Sequence, residues 1–358
     1  MKILHVITTI ERGGAENQLL TLVRHQISLG NQVSVAYLKG SPHLLEEFEV
    51  AGARVIRLNH FITSLFSIGK RLSSDFDLAH AHLPRAEIFL SLSNFLNCGN
   101  GVLVASRHNS ESFFPRKGVR ISKWLSRITL SQFSSLIFIS RAVESYLRTS
   151  GEIPKLLRTK VIYYGFDERI SVLTLPANDL KFVRNRYLYV GRLTEQKDIP
   201  LLLRAFRRFK ENGNSVELHV YGEGKLELQL KKQFQDLSKS IFWHGKTSNI
   251  SDIMRNSCCL VLPSRYEGFG LVLIEAMQNA LPVIAAKNSA IPEVLGEDHP
   301  GLFKNEEELT QLLNKVQNST FRRKILRYQS SRLSEFDPRL MAISVQEFYN
   351  MSTRKREG

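Results

Sequence analysis

Leu262-Pro263-Ser264-Arg265-Tyr266-Glu267-Gly268-Phe269-Gly270, followed by Leu271-Val272-Leu273-Ile274-Glu275-Ala276-Met277, reads as the end of a strand, a glycine-bearing loop and the start of a helix. Ahead of it, Cys258 to Leu262 is a short apolar run that suits a strand buried on both faces of a parallel sheet. Pro263 ends that strand. Gly268 and Gly270 let the backbone turn sharply and approach a ligand. A helix opening at about Leu271 then points its unpaired N–H groups and positive dipole end at the loop, which makes a site for a phosphate or diphosphate.

Glu267 in the loop and Glu275 in the helix bracket this anion site. Carboxylates beside a phosphate repel it, so they are better explained as acceptors for neutral hydroxyls. A sugar and a ribose at the two ends of one diphosphate supply such hydroxyls. The plainer alternative makes Glu267 a solvated loop charge and Glu275 an early-helix acid favoured by the dipole. The glycines, the proline and the strand before them favour the ligand.

Glu267, seven residues, then Glu275 resembles the paired-glutamate motif of glycosyltransferase family 4, and Pro263-Ser264, Gly268-Phe269-Gly270 and Ala276 match around it. The resemblance implies an α/β protein of the GT-B arrangement: two Rossmann-like domains with parallel sheets facing across a cleft, and a C-terminal helix crossing back to the first domain. It implies an acceptor-side domain over residues 1–174, a nucleotide-sugar donor domain over 175–337 and the returning helix over 338–358. Its motifs run through nearly the whole chain in the expected order.

The 358 residues suffice for two domains with cores of their own. No apolar run approaches the ~20 residues that span a bilayer. Met1–Ile7 lacks a small-residue cleavage site and reads as a first strand rather than a signal peptide. Cys98, Cys258 and Cys259 make neither a disulfide framework nor a metal spacing, which points to the cytoplasm. The net charge of +15 asks for an anionic partner: nucleic acid, an anionic lipid surface or a phosphorylated substrate. No basic-aromatic platform or recognisable motif supports nucleic acid, and none is expected.

In the first half, short apolar runs alternate with amphipathic segments, the pattern of a parallel sheet wrapped by helices. Strands are expected at 3–7, 32–37, 54–58, 78–81, 102–106, 135–139 and 160–164, and helices at 15–29, 85–97, 119–130 and 141–149, with Ser140 as an N-cap. Thr9 to Glu16 holds the pair Gly13-Gly14 between strand and helix, without the third glycine of a dinucleotide fingerprint. It is either a tight turn or, as the resemblance implies, the Gly-Gly-Ala-Glu loop near donor phosphate and acceptor, with Glu16 on the acceptor side. His108 follows a central strand, where open α/β sheets bind ligands. It is either a hydrogen-bonded structural histidine or, by resemblance, the one that contacts the transferred sugar.

Arg116, Lys117, Arg120, Lys123 and Arg127 flank a helical face of Ile121, Trp124, Leu125 and Ile128. Two readings stay open. Basic residues with Trp and paired Phe suit a surface lying on anionic lipid, peripheral on the inner face of the plasma membrane; an ordinary packing helix would turn Trp124 to the core. Tyr163-Tyr164-Gly165-Phe166-Asp167 resembles the family's Asn-Gly-hydrophobic-Asp signature, with Tyr164 where asparagine is usual. Leu175 to Asp179 reads as the interdomain linker and hinge.

The second half opens with a strand into Gly191-Arg192-Leu193-Thr194-Glu195-Gln196-Lys197-Asp198. Arg192 can fork onto two phosphate oxygens and Lys197 adds a point charge, which suits a diphosphate leaving group. Asp198 stands where the family has glycine. Gly222 and Gly224 match a Gly-Xaa-Gly loop passing near the nucleotide, and Gly245 and Lys246 lie where the base is framed. Ser289-Ala290 replaces a glycine pair, with Ser289 left to bind donor phosphate through its hydroxyl. From Asn305 the tail is helical in three pieces, broken near Ser319 and at Asp337-Pro338.

These readings imply a retaining, metal-independent glycosyltransferase needing no cofactor beyond its nucleotide-diphosphate sugar. His108, Arg192, Lys197 and Glu267 would be catalytic. Gly13, Gly14, Gly222, Gly224, Gly268, Phe269, Gly270 and Glu275 would bind the donor. The acceptor would be a glycan or a lipid-linked sugar in surface-polysaccharide assembly. The alternatives are a non-catalytic nucleotide-sugar-binding subunit and a nucleotide-sugar epimerase on the same fold. An NAD dehydrogenase is disfavoured by the missing fingerprint.

Overall fold

The first apolar run forms a strand buried from Ile3 to Ile7, as its near-continuous hydrophobicity demands. The computed structural model describes residues 1–97, 101–109, 113, 118–166, 185–247 and 249–353. The chain divides into two compact units, Met1–Asp167 with Phe336–Gly358, and Glu168–Glu335.

The first unit runs β1 (Lys2–Ile7), α1 (Gly14–Ser28), β2 (Gln32–Tyr37), α2 (Leu45–Val50), β3 (Arg54–Arg57), α3 (Phe61–Arg71) and β4 (Leu78–His82). It continues with α4 (Pro84–Leu96), β5 (Leu103–Arg107), α5 (Val119–Leu130), β6 (Ser135–Phe138), α6 (Arg141–Thr149) and β7 (Arg158–Val161). All seven strands pair in parallel in the order β3-β2-β1-β4-β5-β6-β7. The chain fills one side of β1 and then returns to place β4 on the other. That reversal opens a crevice at the C-terminal ends of β1 and β4.

The second unit runs β8 (Arg186–Val190), α7 (Ile199–Glu211), β9 (Glu217–Tyr221), α8 (Glu227–Gln233), β10 (Ile241–Gly245), α9 (Ile250–Arg255) and β11 (Cys259–Leu262). It goes on through α10 (Leu271–Gln278), β12 (Val283–Ala286), α11 (Ile291–Leu295), β13 (Leu302–Phe303), α12 (Glu306–Lys315) and α13 (Ser319–Arg332). Its parallel order is β10-β9-β8-β11-β12-β13, so the reversal falls between β8 and β11. The loops that follow those two strands are the ones the sequence reading singled out.

The last helix, α14 (Pro338–Thr353), belongs to the first unit, as the resemblance implied. It buries Met341, Val345, Phe348 and Tyr349. At about 1.5–3 kcal/mol for each large apolar side chain buried, that face anchors the helix firmly. Gly165 makes room for its start, since a Cβ there would lie 2.3 Å from the Pro338 Cα. Beside it, Phe166 N–H donates to the Phe336 carbonyl at 2.9 Å.

Some expectations shift. The strand placed at 160–164 is β7, ending at Val161, which leaves Tyr164 in the loop beyond the sheet. Helices α2 and α3 were not foreseen: six residues are too few for helical periodicity to show, and α3 opens on Phe61 and Ile62, which face solvent. Ser140 caps α6 as expected, its hydroxyl accepting from Val143 N–H at 3.1 Å. The linker at 175–179 and the Arg116-Lys117 pair lie outside the described residues.

Candidate active site

In the second unit, the loops after β8 and β11 are stitched together. Arg265 N–H donates to the Gln196 carbonyl and Gln196 Nε2 to the Tyr266 carbonyl, both at 2.9 Å. Across this seam Lys197 Nζ reaches Glu267 Oε1 at 2.5 Å, and the Ser264 hydroxyl donates to the same oxygen at 2.6 Å. The pair is largely buried, with side-chain exposures of 13% and 8%. Arg192, exposed on the β8 loop, has no ion pair among the described residues.

Asp198 and Ser289 both replace glycines of the family pattern, yet both keep a glycine-like backbone, with φ of 44° and 52°. Aspartate tolerates the left-handed region better than most residues. The Asp198 carboxylate also holds Arg265 Nε at 2.8 Å, tying the two loops once more. The Lys197 loop geometry therefore survives the substitution. Ser289 corrects an expectation: its hydroxyl donates to the Glu267 carbonyl at 2.8 Å, so that proton steadies the Glu267 loop instead of a phosphate.

Gly270 takes φ +92° and caps α10 without a side chain, as the turn into that helix requires. The Glu275 carboxylate, one turn further on, makes no hydrogen bond or ion pair among the described residues, and burial pushes its pKa above the ordinary range. A half-buried acid without a partner is suited to a hydroxyl brought by a ligand. Gly222 and Gly224 have a structural duty first. A Cβ at either would sit 2.0 Å from the Gly191 carbonyl oxygen or 2.3 Å from that of Leu193. Gly222 N–H is also already bonded, to the Gly245 carbonyl at 2.7 Å. Lys246 pairs with Glu223 at 3.4 Å on the surface. Gly268 and Phe269 lie in the β11–α10 loop, with the Phe269 side chain buried.

In the first unit, Gly13 and Gly14 lead into α1 at the β1–β4 crevice. The Glu16 carboxylate folds back over this loop: Thr9 Oγ1 donates to it at 2.7 Å, and a Cβ on Gly13 would lie 2.4 Å from its other oxygen. His108 follows β5, buried, with Nδ1 hydrogen-bonded to the Tyr164 hydroxyl. Burial lowers its pKa to about 4, helped by the Arg107 charge. Arg107 itself is locked in the core, its Nη2 donating to Glu87 at 2.8 Å and to Ser126 at 3.0 Å.

Sequence reasoning missed the surroundings of His108. His5 on β1 and His80 and His82 on β4 share the sheet face that α14 covers through Tyr349. His5 Nδ1 lies 3.0 Å from His82 Nε2, His5 Nε2 lies 2.7 Å from Gln26 Oε1, and His80 joins Tyr349 and Ser106 at 2.5 and 2.7 Å. Nitrogens of His5, His80 and His82 lie within 4.8 Å of one another, a group a metal ion could use. The available signal was two histidines at i, i+2 on one strand.

Helix α5 settles its own orientation. Its interior face carries Ser122 and Ser126, which bond Glu152 through its carboxylate and its carbonyl, while Ile121, Trp124 and Ile128 are 50%, 63% and 49% exposed. Trp124 therefore does not face the core. Arg120, Lys123 and Arg127 stand on the outer side with it. The neighbouring helices α3 and α4 expose Phe61, Ile62, Phe66, Leu92, Phe95 and Leu96 as well, a feature the sequence reading did not find. No helix among the described residues is long and apolar enough to cross a membrane.

Two parallel-sheet α/β units make the GT-B fold, and a cation–carboxylate seam lies at the switch point of the second. Residues 12–169 match the model of Glycosyltransferase Family 4 and residues 177–331 that of Glycosyl transferases group 1. The chain belongs to this group 1, family 4 class of glycosyltransferases. It is similar, at 23% identity over 94% of its length and 95% of the relative's, to the GalNAc-alpha-(1->4)-GalNAc-alpha-(1->3)-diNAcBac-PP-undecaprenol alpha-1,4-N-acetyl-D-galactosaminyltransferase of Campylobacter jejuni. The putative glycosyltransferase EpsF of Bacillus subtilis is 26% identical over 79% of this chain and 78% of its own. The crystal structure of Anabaena HepE in complex with UDP and glucose shares the fold, with a TM-score of 0.79 at 21% identity over 98% of this chain and all of that one.

Proposed function

We propose that this glycosyltransferase moves a hexosyl-type sugar from a nucleotide-diphosphate sugar, with retention and without a metal ion, to a hydroxyl of a lipid-linked or surface-polysaccharide glycan. The observation that carries the reading is the Lys197–Glu267 seam at the β8/β11 switch point, with Arg192, which has no ion pair among the described residues, on the same β8 loop. As the glycosidic bond to phosphate breaks, Arg192 and Lys197 offset the charge gathering on the leaving diphosphate. Glu275 accepts from ribose hydroxyls and Glu267 from those of the sugar. Gly268, Phe269 and Gly270 shape the loop between them, and Gly222 and Gly224 keep the neighbouring backbone close. His108, the Gly13-Gly14 loop and Glu16 are the first unit's contribution toward sugar and acceptor. The leaving phosphate takes the acceptor's proton on the same face, so no side-chain base is required.

The Campylobacter relative acts on an undecaprenol-linked acceptor by its name, and the HepE complex holds UDP and glucose; both favour this donor and acceptor class. The exposed apolar residues and cations of α5 favour docking on the anionic inner face of the plasma membrane. A non-catalytic subunit is weighed down by the intact backbone at Asp198 and Ser289, while an epimerase would need no acceptor. The test incubates the purified protein with UDP- and GDP-sugars and an undecaprenyl-diphosphate glycan, with vesicles of phosphatidylglycerol or of phosphatidylcholine alone. We expect acceptor-dependent transfer with the donor's anomeric configuration kept, and sedimentation with the anionic vesicles only. Sugar interconversion without acceptor, or no turnover with any donor that binds, contradicts the reading.

A further inference from the structure

We infer that Tyr164 is a positioning residue for His108: its hydroxyl fixes the imidazole in the tautomer that carries the proton on Nε2, and so aims one N–H into a water-sized cavity shared with Gln18 and His82. The catalytic part of this inference rests on the proposed role of His108 at the transferred sugar. The structural part does not.

Three buried polar atoms have no hydrogen-bond partner among the described residues: Gln18 Oε1, His82 Nδ1 and His108 Nε2. Their residues line one cavity of about 30 Å³, together with Ser106 and Tyr164. That volume holds a single water, provided polar partners are there to bind it.

The direction of each bond follows from the far end of the chain of rings. Gln26 Oε1 can only accept, so His5 Nε2 carries the proton it shares at 2.7 Å. His5 Nδ1 is then bare and takes the proton of His82 Nε2 at 3.0 Å. His82 Nδ1 is left as an acceptor facing the cavity, as is Gln18 Oε1. A bare His108 Nε2 would make a third acceptor, and a water has only two protons to give. With the proton on His108 Nε2 the set becomes one donor and two acceptors, which a single water satisfies completely. His108 Nδ1 must then be the acceptor for the Tyr164 hydroxyl, the hydrogen bond that the structure holds. Burial disfavours the charged forms of His108 and Tyr164 alike, so the arrangement carries no net charge. A ligating or hydrogen-bonding histidine is held in one tautomer by the bond its other nitrogen makes, and Tyr164 supplies that bond where the family pattern has asparagine.

The test is two-bond ¹H–¹⁵N spectroscopy of histidine-labelled wild type and of Tyr164→Phe, with signals assigned through His108→Asn and His82→Gln. In the wild type we expect the Nε2–H tautomer at both His108 and His82. In Tyr164→Phe we expect His108 to become a mixture. We expect kcat on whichever of UDP-glucose, UDP-N-acetylglucosamine or GDP-mannose turns over to fall about tenfold, which is ~1.4 kcal/mol. The donor KM should hold within about twofold to threefold, since the tautomer acts on the chemical step. A wild-type proton on His108 Nδ1 overturns the inference, as does a Tyr164→Phe variant with unchanged tautomer and kcat. Stoichiometric zinc on His5, His80 and His82 overturns it too, because either His82 nitrogen used as a ligand removes the bare acceptor that faces the cavity. Full transfer by His108→Ala, with the wild-type tautomer as expected, would fail the sugar-facing role of His108 while leaving the lock in place.

Discussion

Replacing Lys197 with alanine is expected to lower kcat about 100- to 1,000-fold, the usual loss when one preorganised charge partner of a transition state is removed. Lys197 is held by Glu267 at 2.5 Å, with Ser264 sharing the same carboxylate oxygen, so the lysine is fixed on its loop by a carboxylate with which a diphosphate would compete. The variant also strands a nearly buried carboxylate, a change that costs ~3–5 kcal/mol of stability. Lys197→Ala combined with Glu267→Gln separates the two effects. The double variant should recover most of the melting temperature and none of the turnover. A folded single variant with wild-type kcat would remove Lys197 from the mechanism.

The second large effect is on acid stability. Burial lowers the pKa of His5 and His108 to about 4 and holds His80 and His82 well below the ordinary value, with the neighbouring rings adding to the shift of the latter two. In the unfolded chain all four titrate near 6.5. Below that pH the unfolded state binds protons that the folded state refuses, so stability is intact above about pH 6.5 and falls as pH drops toward 4. Each histidine contributes roughly 1 kcal/mol over the first pH unit below 6.5, where its unfolded form is still partly neutral, and approaches about 1.4 kcal/mol per unit further down. Denaturant midpoints measured from pH 7.5 to 5 should drop steeply, and His82→Gln should reduce the slope. A flat profile over that range would show that these rings are not held neutral.

What was legible follows from how local each signal is. Cys259–Leu262 and the Gly270 turn into α10 are written in consecutive residues, and both elements stand where Leu262–Met277 was read. The tail breaks at Ser319 and Pro338 were equally local, set by an asparagine cap and a proline. The histidine cluster was not, because His5 and His80 are 75 residues apart and meet only where β1 pairs with β4. Helix α5 could not be oriented from its stripe alone: the apolar residues face out, one of the two readings left open, while Ser122 and Ser126 face in to satisfy a buried carboxylate and a carbonyl. Asp198 and Ser289 looked like breaks in the phosphate loops, but a one-letter change does not reveal that the backbone keeps positive φ.

A diphosphate grip by Arg192 and Lys197 on the second unit is open to calorimetric titration of nucleoside mono- and diphosphates of uridine and guanosine into the wild type and Lys197→Ala. One of the diphosphates should bind at least about tenfold more tightly than its monophosphate, a difference of ~1.4 kcal/mol that the variant abolishes. Equal affinity for the two nucleotides in the wild type, or a preference that persists without Lys197, would contradict it.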